Sequence, residues 1–224
     1  MEGKLGVLGL VLTAGLVLSA MAARAEAHTF TSNSQNGNTA ITGIDEPLTD
    51  SVFTLNGSTI TCENTFFEGT AEANSFEELT IVPGFYPCDL GGYEAEVNVN
   101  DCAFVFDGET TEEHAVLAIE CAEGNDIELD VPGLETTLTV TPQTGLSGVL
   151  YTNVNGAVTI KATVSGIQAE CTGPTIVCFT LGGETLEIEY SGEIEILGYE
   201  DQGNAGTATT PSYEEGSTVE IAVD

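Results

Sequence analysis

The chain has 224 residues, of which 36 are Asp or Glu and only 3 are Lys or Arg, so its formal net charge at neutral pH is −33. This charge excludes nucleic acid as a direct ligand, because phosphate binding needs basic side chains that displace counterions, and it opposes adsorption to anionic lipid for the same reason. Lys161 is the only Lys or Arg after residue 27, so networks of salt bridges are also excluded.

The first 27 residues predict a secretory signal peptide. Lys4 precedes an apolar run over residues 5–18, and Ala25-Glu26-Ala27 offers the A-x-A pattern of a cleavage site. Cleavage two residues earlier is one alternative. A membrane-spanning helix is another, although the apolar run is only marginally long enough for a span. We therefore expect a secreted, extracellular protein with no membrane attachment once the signal peptide is removed.

Beyond the signal peptide, alternating apolar and polar residues predict β-strands almost throughout. Asn56-Gly57 is the strongest hairpin signal, and a two-residue turn there pairs Phe53 with Ile60. Further alternating runs cover residues 93–99, 103–106, 115–119, 127–131, 138–140, 149–154, 158–164, 186–190, 193–196 and 219–223. Residues 31–39 and 201–217 are polar and predict irregular segments, and no helix is predicted after the signal helix.

Strands of this length, separated by turn residues at regular intervals, are typical of an antiparallel β-sandwich or a barrel-like sheet. We therefore predict an all-β, disulfide-bearing fold that follows the N-terminal signal helix. A single domain over residues 28–224 is the preferred organisation. A division near residues 142–146, at the turn signal Pro142-Gln143-Thr144-Gly145, is the alternative.

All six cysteines lie beyond the signal peptide, at Cys62, Cys88, Cys102, Cys121, Cys171 and Cys178. An even number in an exported chain indicates three disulfides, although six cysteines allow many connectivities. The spacing favours sequential pairing, because one pair flanks a polar hairpin tip, another flanks Gly173-Pro174, and the first two are then left for each other. The absence of a C-x-x-C pair argues against a zinc thiolate site.

The acidity has three competing interpretations: solubility of exposed strand faces, adaptation to a salty medium, and specific Ca²⁺ binding. No EF-hand loop occurs, so the Ca²⁺ hypothesis rests on one crowded segment that contains Glu123, Asp126, Glu128 and Asp130. A second acidic group lies at a predicted hairpin tip and contains Asp107, Glu109, Glu112 and Glu113. A third lies on the outer face of two late strands and contains Glu187, Glu189, Glu193 and Glu195.

The two histidines suggest a second metal hypothesis. Cleavage after Ala27 would make His28 the N-terminal residue, and its α-amine and imidazole suit Cu²⁺ if His114 supplies a further nitrogen. A mobile terminal histidine and a surface position for His114 are the simpler alternative.

Catalytic motifs are lacking. Gly145-Leu146-Ser147-Gly148 fails the G-x-S-x-G spacing of a hydrolase elbow, and no P-loop, dinucleotide fingerprint or H-E-x-x-H sequence occurs. Acidic residues are so abundant that a glycosidase pair cannot be identified among them. We therefore predict that the protein is not an enzyme and needs no cofactor, with Ca²⁺ as the one cofactor worth testing.

Several phrases carry a resemblance: the Ala-His end of the leader, the early strand that ends in Thr59-Ile60-Thr61-Cys62, the segments 140–146 and 151–153, and Val164-Ser165-Gly166-Ile167. Together they resemble a group of exported β-proteins of high-GC Gram-positive soil bacteria. The resemblance covers nearly the whole mature chain and implies secretion and β architecture, without an activity. The sequence thus predicts an extracellular or envelope-associated structural or interaction protein, with a Ca²⁺-dependent module and a copper-binding protein as alternatives.

Overall fold

The structure is a computed structural model that describes residues 29–45, 49–107, 115–200 and 218–223. The predicted signal peptide lies outside these ranges. Within them the elements follow in this order: β1 (Phe30–Ser32), β2 (Thr39–Asp45), β3 (Ser51–Leu55), β4 (Ser58–Ala71), β5 (Ser75–Phe76), β6 (Glu78–Leu90), β7 (Tyr93–Asn98), β8 (Cys102–Asp107), β9 (Ala115–Cys121), β10 (Ile127–Val131), a 3₁₀ turn (Pro132–Leu134), β11 (Thr136–Val140), β12 (Gln143–Val154), β13 (Ala157–Thr172), α1 (Thr175–Leu181), β14 (Thr185–Glu200), β15 (Thr218–Val219) and β16 (Ile221–Val223).

The predicted hairpin at Asn56-Gly57 is confirmed. Phe53 lies opposite Ile60, and Leu55 lies opposite Ser58. Asn56 and Gly57 both have positive φ, 45° and 85°, as a two-residue turn between twisted strands requires.

Four long strands, β4, β6, β13 and β14, close the sheet on itself because each changes neighbours along its length. One half of each belongs to a first ring, ordered β2-β4-β6-β8-β9-β12-β13-β14 and back to β2. The other half belongs to a second ring, ordered β3-β4-β6-β7-β10-β11-β13-β14 and back to β3. All these pairings are antiparallel, so the predicted all-β, barrel-like fold is confirmed.

The boundary between the two rings is visible in the burial of β4 and β6. Side chains alternate between inside and outside along each strand, except that Glu63 and Asn64 are both exposed and so are Tyr86 and Pro87. Asn64 lies opposite Tyr86 in the pairing, so the alternation shifts at the same level on both strands. The inward-facing set therefore moves by one residue where the two strands pass from one ring to the other.

The interior of the rings is apolar and tightly filled. Phe53, Phe85, Phe104 and Tyr190 form a central aromatic cluster with ring centroids 5.2–6.5 Å apart. The buried hydroxyl of Tyr190 lies 3.1 Å from the Ser51 hydroxyl and thereby keeps a hydrogen-bond partner. A cavity of about 20 Å³ beside the cluster has an entirely apolar lining. Such a lining gives a water molecule no polar partner, so the space is expected to be dry.

A second, three-stranded sheet of β16, β1 and β5 brings the two ends of the described chain together. Phe30 lies opposite Val223 and is fully buried, with its ring 5.5 Å from Phe76 and 5.2 Å from Tyr151. The Asn153 side chain donates to the Val223 carbonyl at 2.8 Å and accepts from the Val223 amide at 2.9 Å. Residues from both ends of the chain therefore pack against β12 of the first ring.

The sequence predictions differ from the structure in several places. Residues 31–39, predicted as irregular, contain most of β1 and the start of β2; the rest of β2, β4 beyond Cys62, β5 and β6 were not predicted; and the runs 186–190 and 193–196 belong to one strand, β14. Pro83 and Pro87 interrupt the apparent pattern of β6, because proline is depleted in strands. The helix α1 replaces the turn expected between Cys171 and Cys178, since a proline before a first helical turn is compatible with helix as well as with turn.

Gly145 and Gly148 in the irregular first part of β12 form a matched pair for testing the fold. Both have positive φ, 77° and 107°. A Cβ at Gly145 would meet no atom within 4 Å, whereas one at Gly148 would lie 2.1 Å from the Thr163 carbonyl oxygen on β13. We expect Gly145→Ala to lower the free energy of unfolding by about 1 kcal/mol, the cost of a left-handed backbone for a residue with a side chain.

We expect Gly148→Ala to cost roughly 3 kcal/mol or more, because it adds a clash with the backbone of β13 to that strain. Urea denaturation of both variants measures the difference. Equal losses would contradict the close packing of β12 on β13.

Candidate functional site

The three disulfides are present, and they join the cysteines in sequential order. Cys62–Cys88 and Cys102–Cys121 each connect residues that lie directly opposite on paired strands, β4 with β6 and β8 with β9. Cys171–Cys178 closes the segment from the end of β13 to α1. Two cross-links therefore reinforce the sheet, and the third fixes a surface helix.

The four carboxylates of the Ca²⁺ hypothesis occupy two settings. Glu128 and Asp130 alternate with buried residues on the outer face of β10, whereas Glu123 and Asp126 lie in the preceding turn. Asp130 accepts hydrogen bonds from the Thr137 hydroxyl at 2.6 Å and from the side-chain amide of Asn98, on β7, at 3.4 Å. In the part of the chain that the structure describes, no group of three or more His, Cys, Asp or Glu side chains could hold a metal ion.

The copper hypothesis cannot be placed on the structure, because His28 and His114 both lie outside the described residues. The same holds for Glu109, Glu112 and Glu113 of the predicted acidic tip. On β14, Glu187 and Glu189 are exposed, and Glu193 and Glu195 are half-buried. Their positions agree with the outer strand face that the sequence predicts for them.

Neutral hydrogen-bond donors take the place of basic residues around many carboxylates. Glu200 accepts from the Ser34 hydroxyl at 3.0 Å and from the Gln35 amide at 2.6 Å. Asp89 accepts from the backbone amide of Gly92 at 2.8 Å. Among the described residues, the one salt bridge joins Lys161 and Glu193, with 3.8 Å between nitrogen and oxygen. Hydroxyl and amide groups therefore orient carboxylates without cancelling their charge.

Some carboxylates even lie opposite one another across the sheet. Glu96 of β7 lies opposite Asp130 of β10, and Asp89 of β6 lies opposite Glu94 of β7. Residues that are directly opposite on antiparallel strands point to the same face, and like charges there are destabilising. This part of the second ring therefore carries like charges side by side on adjacent strands.

Tyr151 is a half-buried tyrosine with a clearly shifted pKa among the described residues. Burial of the phenol, with a smaller contribution from the charge of Asp107, raises the pKa of Tyr151 well above its usual range, and the ring contacts Phe30 edge-on. The phenol therefore stays protonated, and its hydroxyl lies 3.4 Å from the Asp107 carbonyl oxygen. This environment is opposite to what a general base at neutral pH requires.

The sequence phrases that carry the resemblance have structural roles. The Gln143 side chain donates to the Gln168 carbonyl at 3.0 Å and accepts from the Gln168 amide at 2.9 Å. It thereby takes the place of a missing strand where β13 changes its neighbour from β12 to β11. Gly166, with φ of 80°, lies in the register shift between β13 and β14.

Exposed apolar side chains concentrate in two places that the sequence did not indicate. We call the first the aromatic patch; it lies on the outer face of β2, β4 and β6 and consists of Ile44, Phe66, Val82 and Tyr86. We call the second the helix knob; it consists of Ile176 and Phe179 on α1, the two most exposed large apolar side chains in the described chain. The sequence Phe66-Phe67 alone suggests two buried residues of a strand. The pairing of β4 with β2 and β6 shows that Phe66 is the one that faces outward.

Comparison with known proteins adds no functional assignment. No family model, no curated protein and no solved structure matches the chain. Among the described residues, no helix has the length and apolar character needed to cross a membrane. The two apolar surfaces are therefore the features on which a function can be argued.

The opposed carboxylates of Glu96 and Asp130 give a direct test of repulsion. We expect Glu96→Gln to raise the free energy of unfolding by about 0.2–1 kcal/mol at low ionic strength, because it removes one of two like charges on adjacent strands. High salt should abolish the gain by screening. Urea denaturation at both salt concentrations measures it, with Glu189→Gln as the control, since Glu189 lies opposite Thr54. Equal gains in both variants would contradict a local repulsion.

Proposed function

We propose that this is a secreted, non-enzymatic interaction protein that works outside the cell or in the cell envelope and binds a macromolecular partner through the helix knob. The signal peptide predicted from the sequence and the three disulfides support an oxidising, extracellular location. The closed sheet supplies a rigid frame, and binding needs no cofactor. The observation that carries the proposal is the exposure of two neighbouring apolar side chains on a covalently fixed helix.

Ile176 and Phe179 are 72% and 75% exposed, and they lie on the same side of α1 because residues three apart on a helix are neighbours. Cys178 and Leu181 are buried on the opposite side and hold the helix against the sheet. The two exposed side chains therefore have no role in the core of the chain. Large apolar side chains that project in this way are typical of binding anchors.

The helix is held in place from several directions. The disulfide Cys171–Cys178 closes it at a sequence separation of 7 residues. The amides of Gly182 and Gly183 donate to the Cys178 carbonyl at 3.1 and 2.8 Å, and the Asn56 side chain donates to the Thr180 carbonyl at 3.2 Å. Little conformational entropy would be lost when such a helix binds, which favours affinity.

Three exposed glutamates lie close along the backbone to the segment that carries the helix knob. The Cys171 amide donates to the Glu184 carbonyl at 2.8 Å, and Gly173 packs against the backbone of Glu135. Both glutamates are exposed. Glu170 is exposed as well, and it lies opposite Thr185 at the start of β14. A complementary partner would offer an apolar pocket with a neutral or basic rim. A second copy of this chain is disfavoured, because it would bring two sets of carboxylates together.

The double variant Ile176→Ser, Phe179→Ser tests the helix knob. We expect its binding to washed envelope fragments of the producing cells, measured by co-sedimentation of the labelled mature protein, to fall roughly tenfold or more, since anchor residues typically contribute over 1 kcal/mol each. The melting temperature should change little, because both side chains are exposed.

Leu150→Ser, Val154→Ser is the matched control, as these residues of β12 are 42% and 39% exposed and lie outside both apolar surfaces. The control should bind as the unchanged protein does. Equal binding by the helix variant, or no binding of the unchanged protein to the envelope fragments, would overturn the proposal.

A further inference from the structure

The aromatic patch is a separate surface from the helix knob, and its geometry is informative in detail. Ile44 lies opposite Phe66 on β2 and β4, and Phe66 lies opposite Gly84 on β6. Asn64 lies opposite Tyr86, so the tyrosine is the next outward-facing side chain along β6. The exposed fractions of Phe66 and Tyr86 are 41% and 60%. Two aromatic rings on adjacent strands therefore share one open face.

The Phe66 ring lies flat on the sheet. A Cβ built on Gly84 would be 2.0 Å from Cζ of Phe66 and 2.3 and 2.6 Å from its two Cε atoms. This position lies above the plane of the ring, because a position beyond the ring edge would be farther from the two Cε atoms. One face of the ring therefore rests on the backbone of Gly84, and the other face points to solvent. No other residue at position 84 would permit this arrangement.

Tyr86 stands beside this flat ring. The two ring centroids are 6.0 Å apart, and the ring planes meet at 70°. Together the rings form a corner with a floor, Phe66, and a wall, Tyr86. Ile44 and Val82 extend the floor on either side, with exposed fractions of 52% and 42%. Aromatic rings with one free face and an upright neighbour suit the C–H-rich face of a sugar ring.

Polar groups around the corner are uncharged or acidic. The Asn64 amide lies opposite Tyr86, and the half-buried Glu68 lies opposite Val82. These groups can accept hydrogen bonds from hydroxyls, and the amide can also donate. Lys161, on β13, is the only Lys or Arg after the predicted signal peptide, and none of the residues that form the patch is basic. The chemistry therefore disfavours an anionic ligand and suits a polyhydroxy one.

The shape of the patch favours a sugar over a protein. Anchors of a protein interface usually project into pockets of the partner, whereas Phe66 lies flat on Gly84 and presents a ring face with Tyr86 beside it. A second copy of the chain is disfavoured by the net charge of −33. We infer that the aromatic patch is a binding site for a neutral polysaccharide, with Phe66 and Tyr86 stacking on the sugar rings and Asn64 and Glu68 bonding hydroxyls.

The test uses the secreted full-length mature protein and four defined probes: cellohexaose, mannohexaose, hexa-N-acetylchitohexaose and hexagalacturonate. We expect at least one of the three neutral hexasaccharides to bind in isothermal titration calorimetry and the acidic one to give no heat. Tyr86→Ala should weaken binding roughly tenfold or more, because a stacked ring is lost. Tyr93→Ala, which removes a 47% exposed tyrosine outside the patch, should leave the affinity within about twofold.

Phe66→Leu provides a second variant that keeps an apolar side chain over Gly84 and removes the aromatic face. It should also weaken binding, with a melting temperature close to that of the unchanged protein. The inference is overturned if none of the neutral hexasaccharides binds at millimolar concentration, or if binding persists in Tyr86→Ala. A wild-type dimer in analytical ultracentrifugation that Tyr86→Ala dissociates would also overturn it, in favour of self-association. The helix knob is unaltered in these variants, so failure here leaves its proposed role intact.

Discussion

Backbone pairing of four long strands with two sets of neighbours is the interaction on which the rest of this structure depends. β4, β6, β13 and β14 each leave one ring and enter the other, and the pairings of β4 with β6 and of β11 with β13 complete the circuit. Closure leaves no long unpaired edge among the described strands of the two rings. It also turns one face of the ring strands toward an apolar interior, so acidic side chains of these strands can lie only on the outer face.

The closed sheet explains how such an acidic chain can be compact. The carboxylates of the described strands lie mostly on outer faces, where solvent and salt screen them, and hydroxyl or amide groups orient several of them. The opposed pair of Glu96 and Asp130 shows that like charges are not always kept apart. The apolar interior and two cross-strand disulfides act against this repulsion, since neither depends on counter-charges. Against this acidic exterior, the few exposed apolar side chains are the distinctive surface features.

The sequence predicts local pairing better than long-range pairing. The hairpin at Asn56-Gly57 and the sequential disulfides follow from turn chemistry and spacing, because the partners are near each other in the chain. β6 is hidden by Pro83 and Pro87, and β1 is too short to show alternation. The aromatic patch was inaccessible to sequence reasoning for a similar reason. The register between β4 and β6 brings Phe66, Gly84 and Tyr86 together, and the sequence does not contain that register. Similarly, α1 can be recognised as a helix only from its packing.

Hydrogen exchange of the amides in β11 measures the closure of the sheet most directly. This strand has β10 on one side and β13 on the other, with Leu138 opposite Cys171. In a closed sheet, its amides should exchange as slowly as those in the middle of β13, because both sides of the strand are paired. Fast exchange of the β11 amides that point toward β13, beside slow exchange of those that point toward β10, would mean that β11 is a free edge. This result would contradict the two-ring fold on which both proposed binding surfaces rest.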